Sequence, residues 1–91
     1  MNKERKMIEK NIELSAEFSR YLFDNPEFEE TIPKDAELVL LPEFDAELKE
    51  FNTKMGKAME AEGAKVVYVS IKQMRPKMHS RIEKVELASV V

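Results

Sequence analysis

Hydrophobic and polar positions alternate along this chain in two rhythms, helical and extended. From about Lys3 to Asp24 the period is helical. Met7, Leu14, Phe18, Tyr21 and Leu22 share one side, widened by Ile8 and Ile12, while Lys6, Glu9, Lys10, Glu13, Glu17, Arg20 and Asp24 share the other. This predicts an amphipathic helix whose apolar face is wider than a coiled-coil seam and suited to covering a sheet. Asn11 and Ser15 intrude on the apolar side, as packed polar contacts or at its boundary. Asp24-Asn25-Pro26 stops the helix and starts another over 26–31. Asn25 suits an N-cap, Pro26 the first helical position, and Glu27, Glu29 and Glu30 the positive end of the helix dipole. Pro33 forces Ile32 away from helical angles, so this second helix is short, with Phe28 and Ile32 as its buried residues.

The stretch 37–71 reads as strand, helix, strand. Leu38-Val39-Leu40-Leu41 is an apolar run bounded by Pro33-Lys34-Asp35 and by Pro42. Asp45 is the expected N-cap of a helix that reaches about Glu62 and stops at Gly63. Phe44, Leu48, Phe51, Met55, Ala58 and Met59 form its predicted apolar face, and Glu50 and Lys54 stand at the supportive i,i+4 spacing. Gly56 inside a helix predicts a close approach. From Lys65 to Ile71 the period becomes two: Val67, Val69 and Ile71 point one way, Val66, Tyr68 and Ser70 the other. A helical crossover predicts a parallel pair with a right-handed connection. The expected core joins Leu38, Leu40, Phe51, Met55, Val67 and Val69. In residues 72–91, Met74-Arg75-Pro76 breaks the pattern. Ser80-Arg81-Ile82-Glu83 matches a capping box, yet Val85, Leu87, Val90 and Val91 favour extended chain, so the tail reads as partly extended. The fold class is therefore α/β, with α+β as the alternative, in one domain over 1–91.

Composition narrows the picture. At 91 residues, 43% hydrophobic and 36% charged, the chain has the balance of a small soluble globular domain with a modest core. No apolar run approaches a membrane span, and the basic start Met1-Asn2-Lys3-Glu4-Arg5-Lys6 has no apolar segment of signal-peptide type behind it. Cysteine is absent, which removes thiolate chemistry and cysteine-ligated metals and fits a reducing cytoplasm. The net charge of −3 is unevenly spread. Residues 24–62 carry twelve acidic side chains against four lysines, and residues 72–91 carry five basic against two acidic. An acidic middle and a basic tail suit contact between copies of the chain.

The run Ser15-Ala16-Glu17-Phe18-Ser19-Arg20-Tyr21-Leu22-Phe23-Asp24-Asn25-Pro26-Glu27-Phe28 resembles the opening of a small prokaryotic family. So does Ile32-Pro33-Lys34-Asp35-Ala36-Glu37-Leu38-Val39-Leu40-Leu41-Pro42, and the likeness continues through Asn52, Val66–Val69 and Ser80-Arg81. It covers about Glu13 to Ile82. That family is known only as a domain of unknown function, so the resemblance implies one folded unit and supplies no activity, ligand or site residue.

Candidate chemistry is sparse. The turn Leu41-Pro42-Glu43-Phe44-Asp45 has no glycine and carries two carboxylates, which argues against a phosphate cradle. His79, the single histidine, has adjacent Ser80 but no evident orienting acid or partner ligands. The pairs Glu29-Glu30 and Glu43 with Asp45 have a sufficient role at helix starts. Among the methionines, Met7, Met55 and Met59 read as core filling. The segment with most to offer is basic: Lys72, Arg75, Lys77, His79 and Arg81, followed by the apolar Ile82, Val85 and Leu87. It reads as an interaction surface. We expect no catalytic residue, metal or cofactor. The expected function is a cytoplasmic, non-enzymatic protein-interaction module that self-associates, most simply as a homodimer, with room for an unidentified protein partner and no membrane contact. One alternative is association with nucleic acid through the basic segment 72–84, aided by Tyr68 as a stacking neighbour. It is disfavoured by the acidic net charge and the lack of a recognised motif. A third is a small ligand-binding protein or hydrolase around His79 and the carboxylates.

Overall fold

The computed structural model describes residues 2–76 and 82–89. Its elements are α1 (Asn2–Asp24), α2 (Pro26–Glu29), β1 (Glu37–Pro42), α3 (Ala46–Ala61) and β2 (Val66–Ile71). The two strands pair in parallel, with Glu37 opposite Val66 and Pro42 opposite Ile71. The mixed α/β reading and the parallel pair hold. The ends of α3 form for local reasons. The Asp45 carboxylate accepts from the Leu48 N–H at 3.1 Å, and Gly63, at φ +93°, turns the chain out. Its N–H and that of Ala64 then reach the Glu60 and Met59 carbonyls, the bonds of a Schellman stop. Asn25 behaves differently from expectation. It makes no side-chain cap for α2; instead its Nδ2 donates to the Tyr21 carbonyl at 2.8 Å and closes the end of α1. Glu50 and Lys54 do pair, at 3.4 Å.

Alternation in β1 and β2 gives the sheet two faces. Leu40, Val69 and Ile71 face α1 and pack with Met7, Leu14, Phe18 and Leu48. Val39 and Tyr68, opposite one another, lie on the α3 side, where the Tyr68 ring occupies the space beside Gly56. A Cβ at Gly56 would stand 2.7 Å from that ring. The expected close approach is therefore by a side chain.

The core is not the one the apolar pattern implies. Leu40 is buried and Phe51, Val67 and Val69 are half-buried, but Leu38 is 37% and Met55 41% exposed. The buried stripe of α3 is Leu48, Asn52 and Gly56, and Phe44 and Met55 turn outward. The stripe follows the packing surface rather than the apolar count, because α3 must satisfy a polar edge as well as cover a sheet. On α1, Ile8, Ile12 and Tyr21 are exposed although they belong to the apolar stripe, since a two-stranded sheet is too narrow to cover so wide a face. Ser15 is exposed as well. Residues 82–89 form no helix or strand and all are exposed. The capping-box positions Ser80 and Arg81, and Val90 and Val91, lie outside the described residues.

Candidate protein-interaction surface

Carboxyl ends of parallel strands are where α/β proteins hold ligands. Here the carboxylates that follow β1 are engaged by the chain's own side chains. Glu43 accepts from Lys49 Nζ at 2.7 Å and from Ser70 Oγ at 2.7 Å. Asp45 accepts from Lys10 Nζ at 2.9 Å as well as from the α3 backbone. The bond from Lys49, then that from Ser70, holds the Glu43 carboxyl below its ordinary range. Lys10 and then the Leu48 N–H do the same for Asp45. Carboxylates held this firmly ionised are poor proton carriers near neutrality. The N-terminus of α3 already has its acceptor, and Glu47 adds another negative charge there, paired with Lys3 at 3.1 Å. The geometry fixes a turn and ties α1 to α3. Among the described residues, no group of three or more His, Asp or Glu could hold a metal ion.

An asparagine takes the central acceptor on the outer edge of β1. In a parallel pair, successive residues point their backbone polar groups to opposite edges. The Glu37 and Glu43 N–H groups donate to the carbonyls of Lys65 and Ile71, so the odd residues of β1 face β2 and the Leu40 carbonyl faces outward. Asn52, 1% exposed, donates to that carbonyl at 2.8 Å. Its amide also exchanges two hydrogen bonds of 2.8 Å with the amide of Asn11 on α1. At the Leu40 carbonyl, the edge that would invite another strand is thus met by a helix side chain.

The outer edge of β2 is treated differently. By the same parity its odd residues face β1, and Val66, Tyr68 and Ser70 direct their backbone N–H and C=O outward. Among the described residues, no backbone hydrogen bond joins these groups to another segment. Beside this edge runs a groove of about 1080 Å³, floored by Val69 and Ile71, walled by Leu14, Phe18 and Tyr21 of α1, and bounded by Phe28 and residues 72–76. Phe18, Tyr21 and Phe28 hold one another, with ring centroids 5.8–6.4 Å apart. Tyr21 nonetheless remains 50% and Phe28 37% exposed. An open strand edge beside an aromatic groove is the geometry of strand addition.

Only part of the predicted interaction segment meets this surface. Lys72 and Arg75 are exposed and line the groove. Lys77, His79 and Arg81 lie outside the described residues. Ile82, Val85 and Leu87 are 67%, 82% and 81% exposed. Tyr68, the expected stacking neighbour, is half-buried and packs beside Gly56. Its hydroxyl donates to Glu60, which raises the phenol above its ordinary range, and Lys57 Nζ stands 5.8 Å from its ring. Sequence reasoning missed Tyr21 and Phe28 as surface residues and Asn11 and Asn52 as a pair. Aromatic residues at i,i+3 on α1 were the available signal for the first.

A family model described as a family of unknown function (DUF5647) matches residues 6–85. The chain belongs to this family. The match runs from Lys6 in α1 through β2 and takes in half of the segment 82–89, so the groove and both strand edges are inside it. No curated protein matches the chain, and no solved structure does. Among the described residues, no helix is long and apolar enough to cross a membrane.

Proposed function

We propose that this protein is a non-enzymatic protein-interaction module that associates with its own copies through the outer edge of β2 and the groove beside it. One observation carries the reading: Asn52 and the Asp45 N–H take outward carbonyls of β1, while among the described residues β2's outward backbone groups meet no other segment and stand next to exposed Tyr21 and Phe28. Two-stranded sheets are marginal alone, and an added strand supplies both hydrogen bonds and cover. The non-enzymatic part is supported by the carboxylates at the strand ends, which are engaged in fixing the turn and held ionised. The cysteine-free composition fits a cytoplasmic setting.

Multi-angle light scattering at micromolar concentration tests the reading. A dimer gives twice 10.6 kDa, 21.2 kDa; a mass of 10.6 kDa at all concentrations refutes it. Nucleic-acid association is the second reading, favoured by Lys72 and Arg75 on the rim of an aromatic groove. Glu13 and Glu17 line the same groove, and Arg20 is paired with Glu17 at 2.9 Å, so phosphates would run past carboxylates. Binding to mixed single-stranded RNA with a steep salt dependence would reverse this order.

A further inference from the structure

We propose that the strand missing from β2's open edge is residues 82–89 of a second copy, laid antiparallel to β2 in a reciprocal exchange. The inference rests on the self-association reading and names the segment that performs it.

Ile82-Glu83-Lys84-Val85-Glu86-Leu87-Ala88-Ser89 contains no proline or glycine. Every residue can therefore donate to a ladder, and nothing in the segment resists extension. All eight residues are exposed in the single chain. The radius of gyration is 18.0 Å, against about 12 Å for a compact domain of this length, so part of the chain stands away from the body. Among the described residues, one molecule thus carries an arm with Val85 and Leu87 exposed and a strand edge that meets no other segment. A two-fold exchange covers both twice.

Register and charge select the antiparallel direction. With Tyr68 opposite Glu86, the outward-pointing backbone groups of Val66, Tyr68 and Ser70 meet Ala88, Glu86 and Lys84. Val85 then falls beside Val69, which lines the groove, and Leu87 beside Val67, one step further along the same face of the sheet. Lys84 and Glu86 take the other face. Glu83 arrives beside Ile71, where the exposed Lys72 and Arg75 of the receiving copy stand against Glu13 and Glu17 on the opposite wall of the groove. A parallel arm would carry Glu83 to the far end of β2 and lose that pairing. The added strand makes a three-stranded sheet of each copy. It also places charged residues on the new edge strand, a usual defence against further addition.

The full chain supplies the test because it contains no cysteine. Ser70→Cys and Lys84→Cys are made as separate single variants, mixed, dissociated and reassociated, then oxidised. Opposed residues of a hydrogen-bonded antiparallel pair have Cα atoms about 5.5 Å apart, within disulfide range. The expected result is a covalent dimer that contains one chain of each variant and far exceeds the bridging within either variant alone. A second arm removes residues 82–91. The truncated chain is expected to run as a monomer with native circular dichroism, while the full chain runs at 21.2 kDa. A full chain that is a monomer overturns self-association and this inference together. A full-length dimer that survives the truncation, or that fails to form the mixed bridge, overturns the inference and leaves self-association standing. In the doubly substituted S70C/K84C chain, bridging within one molecule would show that the arm folds back on its own β2, which also overturns it.

Discussion

Removing the side chain of Asn52 tests the central contact of this fold. Asn52 is 1% exposed and sits where α1, α3 and β1 meet. Asn52→Ala deletes the donor to the Leu40 carbonyl and both bonds to Asn11. A buried backbone acceptor left without its donor costs about 1–3 kcal/mol. Asn11 is half-buried and regains water, so its share is smaller, roughly 0.5–1 kcal/mol. The expected total is about 2–4 kcal/mol once lost packing is included. Urea unfolding followed by circular dichroism measures it. With a slope of about 1–1.5 kcal/mol/M for a chain this small, the midpoint should fall by roughly 2 M. Protein concentration must be held fixed, because association adds to apparent stability.

Two companions separate hydrogen bonding from packing. Asn52→Leu restores volume but no donor and should be destabilised nearly as much as Asn52→Ala. Asn11→Ala should lose about 1 kcal/mol, and combining it with Asn52→Ala should add little, with a coupling of about 0.5–1 kcal/mol. A midpoint unchanged in Asn52→Ala, or strict additivity with Asn11→Ala, would refute the role assigned to this pair.

The remaining predictions concern the core and pH. Leu48→Ala, at a residue 3% exposed, should lose about 2–5 kcal/mol, whereas half-buried Phe51→Ala should lose about 1–3 kcal/mol; a larger loss at Phe51 in urea unfolding would restore the register implied by the apolar pattern. Glu43 and Asp45 titrate below their ordinary values of 4.5 and 3.8, so their folded forms hold protons less tightly than the unfolded chain does. Their contribution to stability is complete above those ordinary values and is lost as pH falls through the depressed ones. The urea midpoint should be level from pH 7 to about 5 and fall below about 4.5. Lys10→Met should flatten part of that fall by removing the bond that chiefly lowers Asp45, and an unaltered acid profile would count against it.

What the sequence determined by itself is the set of local elements. Asp45 and Gly63 bracket α3 because a cap and a left-handed exit are settled within a few residues. The alternation Val67-Tyr68-Val69 and the crossover helix likewise imply a parallel pair. Tertiary structure decided which faces those elements bury. Asn11 and Asn52 are 41 residues apart, and Glu43 and Ser70 are 27 apart; nothing in either neighbourhood marks them as partners. Hydrophobic periodicity ranks Phe44 and Met55 above Asn52 and Gly56 on α3. The folded chain ranks them in the opposite order, because the outer edge of β1 needs a donor and the Tyr68 ring needs space. Burial depends on what an opposing surface lacks, and that surface is assembled only when distant segments meet. The same reason separates the two edges of the sheet. Nothing in either strand's own sequence says which outer edge a helix side chain will reach; Asn52 of α3 reaches the Leu40 carbonyl of β1, and among the described residues the outward backbone groups of β2 meet no other segment.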